Sequence, residues 1–202
     1  LVRNEEILYQ LNGMSMYSST NTEEMWNFVK NMGFENLENR FQYAGSTEVM
    51  DMLLGIRYLF CRNTRTLHTA YKKIAESQSF DLYENPRALR SGYMVSDSVL
   101  DYAMEGTDPL EVQNRLLSGI VGKRLYKMQT VNSDTALIGN TTFNIHLKKG
   151  EHGYLYIPGT EPDTVTINGQ EQKSDYWNNN FLDLGTYNVD TIVQVTTGTG
   201  MH

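Results

Sequence analysis

Apolar and polar positions recur along this chain with two different periods, and the change from one to the other divides it. Between Ser46 and Cys61, Val49, Met52, Leu53 and Ile56 fall at i, i+3, i+4 and i+7, which sets them on one face of a helix. Ser46 or Thr47 supplies the N-cap and Gly55 ends it. The next run, Ile56 to Cys61, is short, apolar and partly aromatic, which favours a buried strand over another helical turn. A helix feeding directly into a buried strand is a nucleus on which flanking elements pack, and the chain is organised around it.

Upstream, residues 1–17 carry Ile7, Leu8, Leu11, Met14 and Met16 without a clean period, leaving strand and loop both open. Met25, Phe28, Val29 and Met32 then form a second helical stripe. Thr20 with Glu23, and Asn21 with Glu24, stand at capping-box spacing before it, and Gly33 closes it. Downstream, Tyr71 to Ala75 and Phe80 to Tyr83 read as a hairpin, and Asn85-Pro86 as a turn or strand end. Gly92 to Val95 and Val99 to Tyr102 are further strand candidates. Asp108-Pro109-Leu110-Glu111 places Asp at a cap, Pro at N1 and Glu at N3 of a helix running to about Ser118 and finishing near Gly119 or Gly122.

From Lys123 the period becomes two. Phe143, Ile145 and Leu147 alternate with Asn144 and His146, and Tyr154 to Ile157, Thr164 to Ile167, Phe181 to Leu184 and Ile192 to Val195 follow between turns. Asn168-Gly169 is the strongest hairpin signal, since both residues tolerate positive φ. The predicted fold is therefore α+β. A mixed portion spans 1–122, with helices near 21–33, 47–55 and 108–119, and an antiparallel, jelly-roll-like β-sandwich spans 123–202.

Composition narrows the partners. A formal charge of -7 and a pI near 5.1 argue against nucleic acid or an anionic membrane surface, because phosphates repel an acidic chain. The single cysteine, Cys61, excludes an internal disulfide and lies in an apolar run, as an inert buried thiol does. No stretch approaches the roughly 18 to 20 apolar residues that span a bilayer. The chain opens at Leu1 without a methionine or signal peptide, and we expect it to be a piece of something longer.

Candidate chemistry is sparse. His68, His146, His152 and His202 match no recurring zinc spacing and are expected at the surface; no metal site or cofactor is assigned. Asp97, Asp101 and Glu105 read as a solvated acidic face. Gly119-Ile-Val-Gly122-Lys123-Arg124 resembles a phosphate loop but has Leu117 at the first glycine position, Arg124 in place of Ser or Thr, and follows a helix instead of opening one. Among Tyr154, Tyr156, Tyr176, Trp177 and Tyr187, Tyr154 and Tyr156 share one face of a strand and Leu155 and Ile157 the other. If the aliphatic face is core, Tyr154 and Tyr156 stand exposed together, and with Trp177 they are the candidate carbohydrate-binding residues.

The order of several motifs carries a resemblance. Met16-Tyr17-Ser18-Ser19, Asp51 to Leu59, Leu82-Tyr83-Glu84-Asn85-Pro86-Arg87-Ala88-Leu89 leading to Gly92-Tyr93-Met94-Val95, and Asp108 to Asn114 together resemble the YfhO family of bacterial multi-pass membrane proteins. Tyr154 to Tyr156, Val165 to Gly169 and Leu182 to Gly185 are similar to that family's later β-rich portion. The resemblance implies an extracytoplasmic domain, at the cell membrane, of a relative of the GT-C-like glycosyltransferases that use polyprenyl-phosphate-linked sugars to modify cell-envelope polymers such as teichoic acids. It implies as partners the transmembrane part of the parent chain and an envelope glycan or polymer acceptor. The catalytic acid of such enzymes is expected on a loop of the transmembrane part, so no catalytic residue is transferred to this chain.

Overall fold

Each helix among the described residues starts where a short polar side chain can accept from its first turn. The structure, a computed structural model, describes residues 10, 12–18, 20, 22–37, 40–62, 71–90, 92–101, 106, 108–133, 135–137, 139–159, 161–172 and 180–198. Helix α1 (Glu23–Asn31) is capped by Thr22, whose hydroxyl accepts the Met25 N–H at 3.3 Å, and not by Thr20 or Asn21 as the spacing suggested. This start keeps Glu23 and Glu24 in the first turn and Lys30 in the last, as the helix dipole favours. Helix α2 (Glu48–Leu53) is capped by Thr47, which accepts the Met50 N–H at 3.2 Å. Met50, Asp51 and Leu53 are buried while Val49 and Met52 are half-buried, so α2 is enclosed on more than one side. Helix α3 (Pro109–Val121) has Asp108 accepting from the Leu110 and Glu111 amides, and it passes through a buried Gly119 to end at Gly122, where φ is 72°.

The first half carries two small sheets. Strands β1 (Met16–Tyr17), β2 (Glu35–Leu37) and β3 (Arg40–Gln42) pair antiparallel in the order β1-β3-β2. Strands β4 (Tyr58–Arg62), β5 (Lys72–Glu76) and β6 (Phe80–Glu84) pair in the order β4-β6-β5, and the expected β5–β6 hairpin is closed by Ser77, which accepts the Phe80 N–H at 3.1 Å. Strand β4 corrects the expectation of a fully buried strand. Leu59 and Cys61 are buried, but Tyr58 and Phe60 are 52 % and 67 % exposed, because β4 is an edge strand of a sheet covered on one face. The strands expected over 92–95 and 99–102 are also absent as far as the described residues reach. Residues 92–96 have no regular structure and Asp97–Asp101 is a 3-10 turn. Ser96 accepts the Ser98 N–H at 3.3 Å, a local bond that competes with a ladder, and Met94 and Leu100 project into solvent without a surface to pack on.

The second half is built from β7 (Thr135–Leu137), β8 (Asn140–Leu147), β9 (His152–Tyr156), β10 (Thr164–Ile167), β11 (Gln170–Gln172), β12 (Phe181–Thr186) and β13 (Thr191–Gly198). Five strands form a sheet in the order β11-β10-β13-β8-β7, and β9 pairs with β12 as a separate ribbon. Asn168 at φ 51° and Gly169 at φ 76° make the expected tight β10–β11 turn. The fold is α+β, with a sandwich of five strands against two in place of the four-on-four arrangement of a jelly roll.

Two apolar cores result. Val29, Met32, Phe34, Phe41, Met50, Leu53, Val112 and Leu117 fill one; Val165, Leu182, Leu184, Val193 and Val195 fill the other, with Leu155 and Ile157 against them. The β9–β12 ribbon lies between. Leu155, Leu182 and Leu184 face the five-stranded sheet, while register places Tyr156 opposite Phe181 and Tyr154 opposite Asp183 on the other face. Gly33, at φ 91°, sits where this second face meets the helices. A Cβ there would stand 2.9 Å from Pro109 Cβ and 3.2 Å from the Phe181 ring.

Gly33→Ala should therefore lower stability by about 2 to 4 kcal/mol, combining left-handed strain with overpacking against backbone-anchored atoms. Gly150→Ala, at φ 80° with nothing near, should cost only about 1 kcal/mol. Urea midpoints of the two variants measure the difference, and equal losses would contradict the close packing at Gly33.

Candidate functional site

The first turn of α2 gathers a cluster of buried polar groups. Thr47 and Gln113 are 1 % and 0 % exposed. The Thr47 hydroxyl donates to Gln113 Oε1 at 2.9 Å, and Gln113 Nε2 donates to the Met32 carbonyl at 2.8 Å, just past the end of α1. The Tyr126 hydroxyl lies 2.8 Å from Thr47 Oγ1 and 3.0 Å from Gln113 Oε1. Tyr126 reaches this point because the chain turns back at Gly122 and runs along α3, where the buried Asn114 amide accepts from the Leu125 and Tyr126 N–H groups and donates to the Tyr126 carbonyl. The remaining contact comes from the ribbon: the Glu48 N–H, one of the donors a helix start leaves without an intrahelical partner, donates to the Tyr154 hydroxyl at 3.0 Å.

One turn further along α2 stands Asp51, 2 % exposed. Burying a carboxylate is costly unless its lone pairs are met. Here the Tyr43 hydroxyl donates to Oδ2 at 2.6 Å, the Tyr71 hydroxyl donates to the same oxygen, and the Ser46 hydroxyl donates to Oδ1 at 2.6 Å. Burial, then the charge of Asp51, pushes the Tyr71 phenol far above its ordinary range. Burial does the same to Tyr154, with the Asp183 charge adding to it, and to Tyr126. These phenols stay protonated at any physiological pH, so they serve as hydrogen-bonding groups and not as bases.

On the ribbon, His152 Nε2 donates to Asp183 Oδ1 at 2.7 Å and Nδ1 lies 2.8 Å from the Thr186 hydroxyl. Asp183 Oδ1 also accepts the Gly185 N–H at 2.8 Å, at the bulge in β12. A threonine hydroxyl donates to neutral imidazole and accepts from imidazolium, so the site receives either protonation state without losing a hydrogen bond. Burial opposes the charged form, but the hydrogen bond to Asp183, the charge of Asp183 and that of Glu48 outweigh it and raise the His152 pKa. The His152 ring lies 4.7 Å from that of Tyr154, which links this pair to the α2 contact. Glu48 in turn faces Arg87 at 3.5 Å.

The residues singled out by sequence fall differently. Tyr154 is half-buried and hydrogen-bonded, edge-on to Tyr126 at 6.1 Å and beside Phe181 at 6.0 Å, so it does not stand in the open beside Tyr156. Tyr156 is also half-buried, 6.4 Å from Phe181, with its phenol pKa raised by burial and by the charge of Asp108. Trp177 lies outside the described residues, as do Tyr176, His68, His202 and Glu105. His146 is exposed as expected, but His152 is not a surface histidine. Asp51, Tyr71 and the His152–Asp183 pair were missed. For Asp51 a signal existed: Met50-Asp51-Met52 places a carboxylate between apolar neighbours in a short helix.

Every polar group described in this cluster bonds to another, which gives it the chemistry of a clamp joining α1, α2, α3 and the ribbon. Among the described residues no group of three His, Cys, Asp or Glu side chains is arranged to hold a metal ion, and no helix is long and apolar enough to cross a membrane. Comparison with protein families matches residues 2–200 to a model described as bacterial membrane protein YfhO. No curated protein and no solved structure matches the chain.

The raised His152 pKa gives a signed pH dependence. A histidine titrates near 6.5 when unfolded and higher here, so its contribution is complete below about pH 6.5 and is lost as pH rises through the folded value. The melting temperature of His152→Gln should fall furthest below that of the unaltered chain under about pH 6.5, and the gap should narrow as pH rises through the folded value. A difference independent of pH would contradict the ion pair.

Proposed function

The chain belongs to the YfhO family of bacterial membrane proteins, and from that membership we propose that it is an extracytoplasmic accessory domain of a membrane-embedded glycosyltransferase. It has a membrane-associated role by family. In the proposed reading it positions an envelope polymer, such as teichoic acid, to receive a sugar from a polyprenyl-phosphate carrier, while the transmembrane part of the parent chain performs the transfer.

The match over residues 2–200 is the observation that carries this reading, since it covers nearly the whole chain and not a fragment of it. The chemistry of the α2 cluster is in keeping with it. Carboxylates and phenols that are satisfied by one another hold elements in place; a transferase base needs a carboxylate open to substrate. A domain of this kind contributes geometry, fixing where a bound polymer or a neighbouring segment sits relative to the bilayer.

Deleting residues 2–200 from the intact protein should abolish sugar incorporation into the envelope polymer, measured as the sugar-to-phosphate ratio of isolated wall polymer, while protease mapping verifies that the truncated protein still inserts. The chain by itself should show no transfer from a lipid-linked sugar. Undiminished glycosylation by an inserted, truncated protein would overturn the proposal.

A further inference from the structure

At one end of the β9–β12 ribbon Thr186, His152 and Asp183 stand in a row. Thr186 Oγ1 lies 2.8 Å from His152 Nδ1, and His152 Nε2 lies 2.7 Å from Asp183 Oδ1. Thr186 is exposed while His152 and Asp183 are half-buried, so the row opens on solvent at its hydroxyl end. A hydroxyl, an imidazole placed to take its proton and a carboxylate that orients the imidazole are the parts of a nucleophilic acyl-transfer site, which is recognised by geometry and roles whatever the fold.

The backbone is bent to make this row. Thr186 pairs with His152 across the ribbon, and cross-strand partners share a face. Asp183, three residues before Thr186, would face the other way in an unbroken strand, because side chains alternate. The register shifts between Asp183 and Gly185, where Gly185 takes φ 78°, and this bulge turns both Asp183 and Thr186 to the face that carries His152. Asp183 Oδ1 accepts the Gly185 N–H at 2.8 Å, so the carboxylate that orients the imidazole also holds the bulge.

Proton positions and charge narrow the chemistry. An ionised carboxylate only accepts, so Nε2 carries the hydrogen and Nδ1 of the neutral ring keeps its lone pair toward the Thr186 O–H. Facing the imidazole are Asp183 from β12, the Tyr154 ring at 4.7 Å from β9, and the charge of Glu48 from α2, itself 3.5 Å from Arg87. The two carboxylates make this ring a stronger base than a free histidine. They also repel an anionic substrate such as a phosphoester, and a neutral carboxylic ester is the electrophile that fits.

We propose that Thr186 is a nucleophile for acyl transfer from neutral carboxylic esters, with His152 as its general base and Asp183 as the residue that positions the imidazole. Thr186 Oγ1 bonds to the ester carbonyl carbon as its proton passes to His152 Nδ1. The bond from that carbon to the leaving oxygen breaks, and the imidazolium returns the proton to the departing alcohol. Water, deprotonated by the same imidazole, then releases the carboxylic acid and restores Thr186. This does not rest on the glycosylation reading, since the group transferred is an acyl group and the three side chains belong to this chain, so either can fail alone.

Incubation of the chain with p-nitrophenyl acetate, followed by peptide mass mapping, tests it. The acetyl group should appear on Thr186. The rate of its appearance should rise with pH through the folded His152 value, which lies above the ordinary 6.5, and level off beyond it. Thr186→Val should abolish the adduct, and His152→Gln should slow any acetylation of Thr186 about a hundredfold or more, the contribution of a positioned base. Asp183→Asn keeps an oxygen for the Gly185 N–H but removes the charge, so it should move the pH midpoint down as well as slow the reaction. Melting temperatures verify that each variant folds, and the pH profile of the unaltered chain needs no variant. No acetyl group on Thr186, a rate that climbs with pH without levelling off, or equal acetylation of folded His152→Gln would overturn the proposal. So would an Asp183→Asn midpoint equal to that of the unaltered chain, because the carboxylate would then not act on the imidazole.

Discussion

A fully buried glutamine dictates much of this architecture. Gln113 can be tolerated at 0 % exposure only if both ends of its amide are bonded, because each unmet polar group costs about 1 to 3 kcal/mol. The donors and acceptors that meet it come from the Met32 carbonyl after α1, from Thr47 at the cap of α2, and from Tyr126 on the chain returning along α3. Three segments distant in sequence are thereby brought to one point in one geometry. Apolar packing alone would hold them close but would not select the register, since Met32, Met50 and Leu117 can fill the same volume in several ways.

From that point the constraint passes to the sheet-rich half. Thr47, fixed by Gln113, caps α2 and sets the direction in which the Glu48 N–H points, and the Tyr154 hydroxyl answers it from the ribbon. The ribbon is buried on both faces, by Leu155, Leu182 and Leu184 toward one core and by Tyr154 and Phe181 toward the other. Gly33 lets α1, α3 and Phe181 approach at a distance that a side chain would prevent. A small number of polar contacts thus makes two apolar cores depend on each other, and such a body suits a domain whose contribution is position.

What the sequence disclosed follows from what is local. Caps, glycine stops and the Asn168-Gly169 turn are written within four or five residues, and the helices and most strands lie where those signals put them. Strand β4 was found but its burial was not, because the apolar run Ile56 to Cys61 does not reveal that it would lie at a sheet edge with Phe60 outward. Ser96 accepts the Ser98 N–H at the start of the Asp97–Asp101 turn, a local bond that the apolar residues of the two expected strands do not reveal. Tyr154 and Tyr156 were correctly placed opposite Leu155 and Ile157. That face was expected in solvent if the aliphatic one was core, since a single strand cannot show that a second layer covers it. Asp51 and His152 depend on partners up to tens of residues away, Tyr71 for one and Asp183 for the other, and spacing rules do not reach that far.

The most direct test of this account is amide hydrogen exchange in the native chain, comparing α3 with β13. If the clamp at the first turn of α2 makes the two cores one cooperative unit, the slowest amides of α3 and of β13 will open with the same free energy, within about 1 kcal/mol. If the α3 amides open at a free energy lower by more than about 2 kcal/mol while β13 stays protected, the cores are independent and the clamp does not unite them.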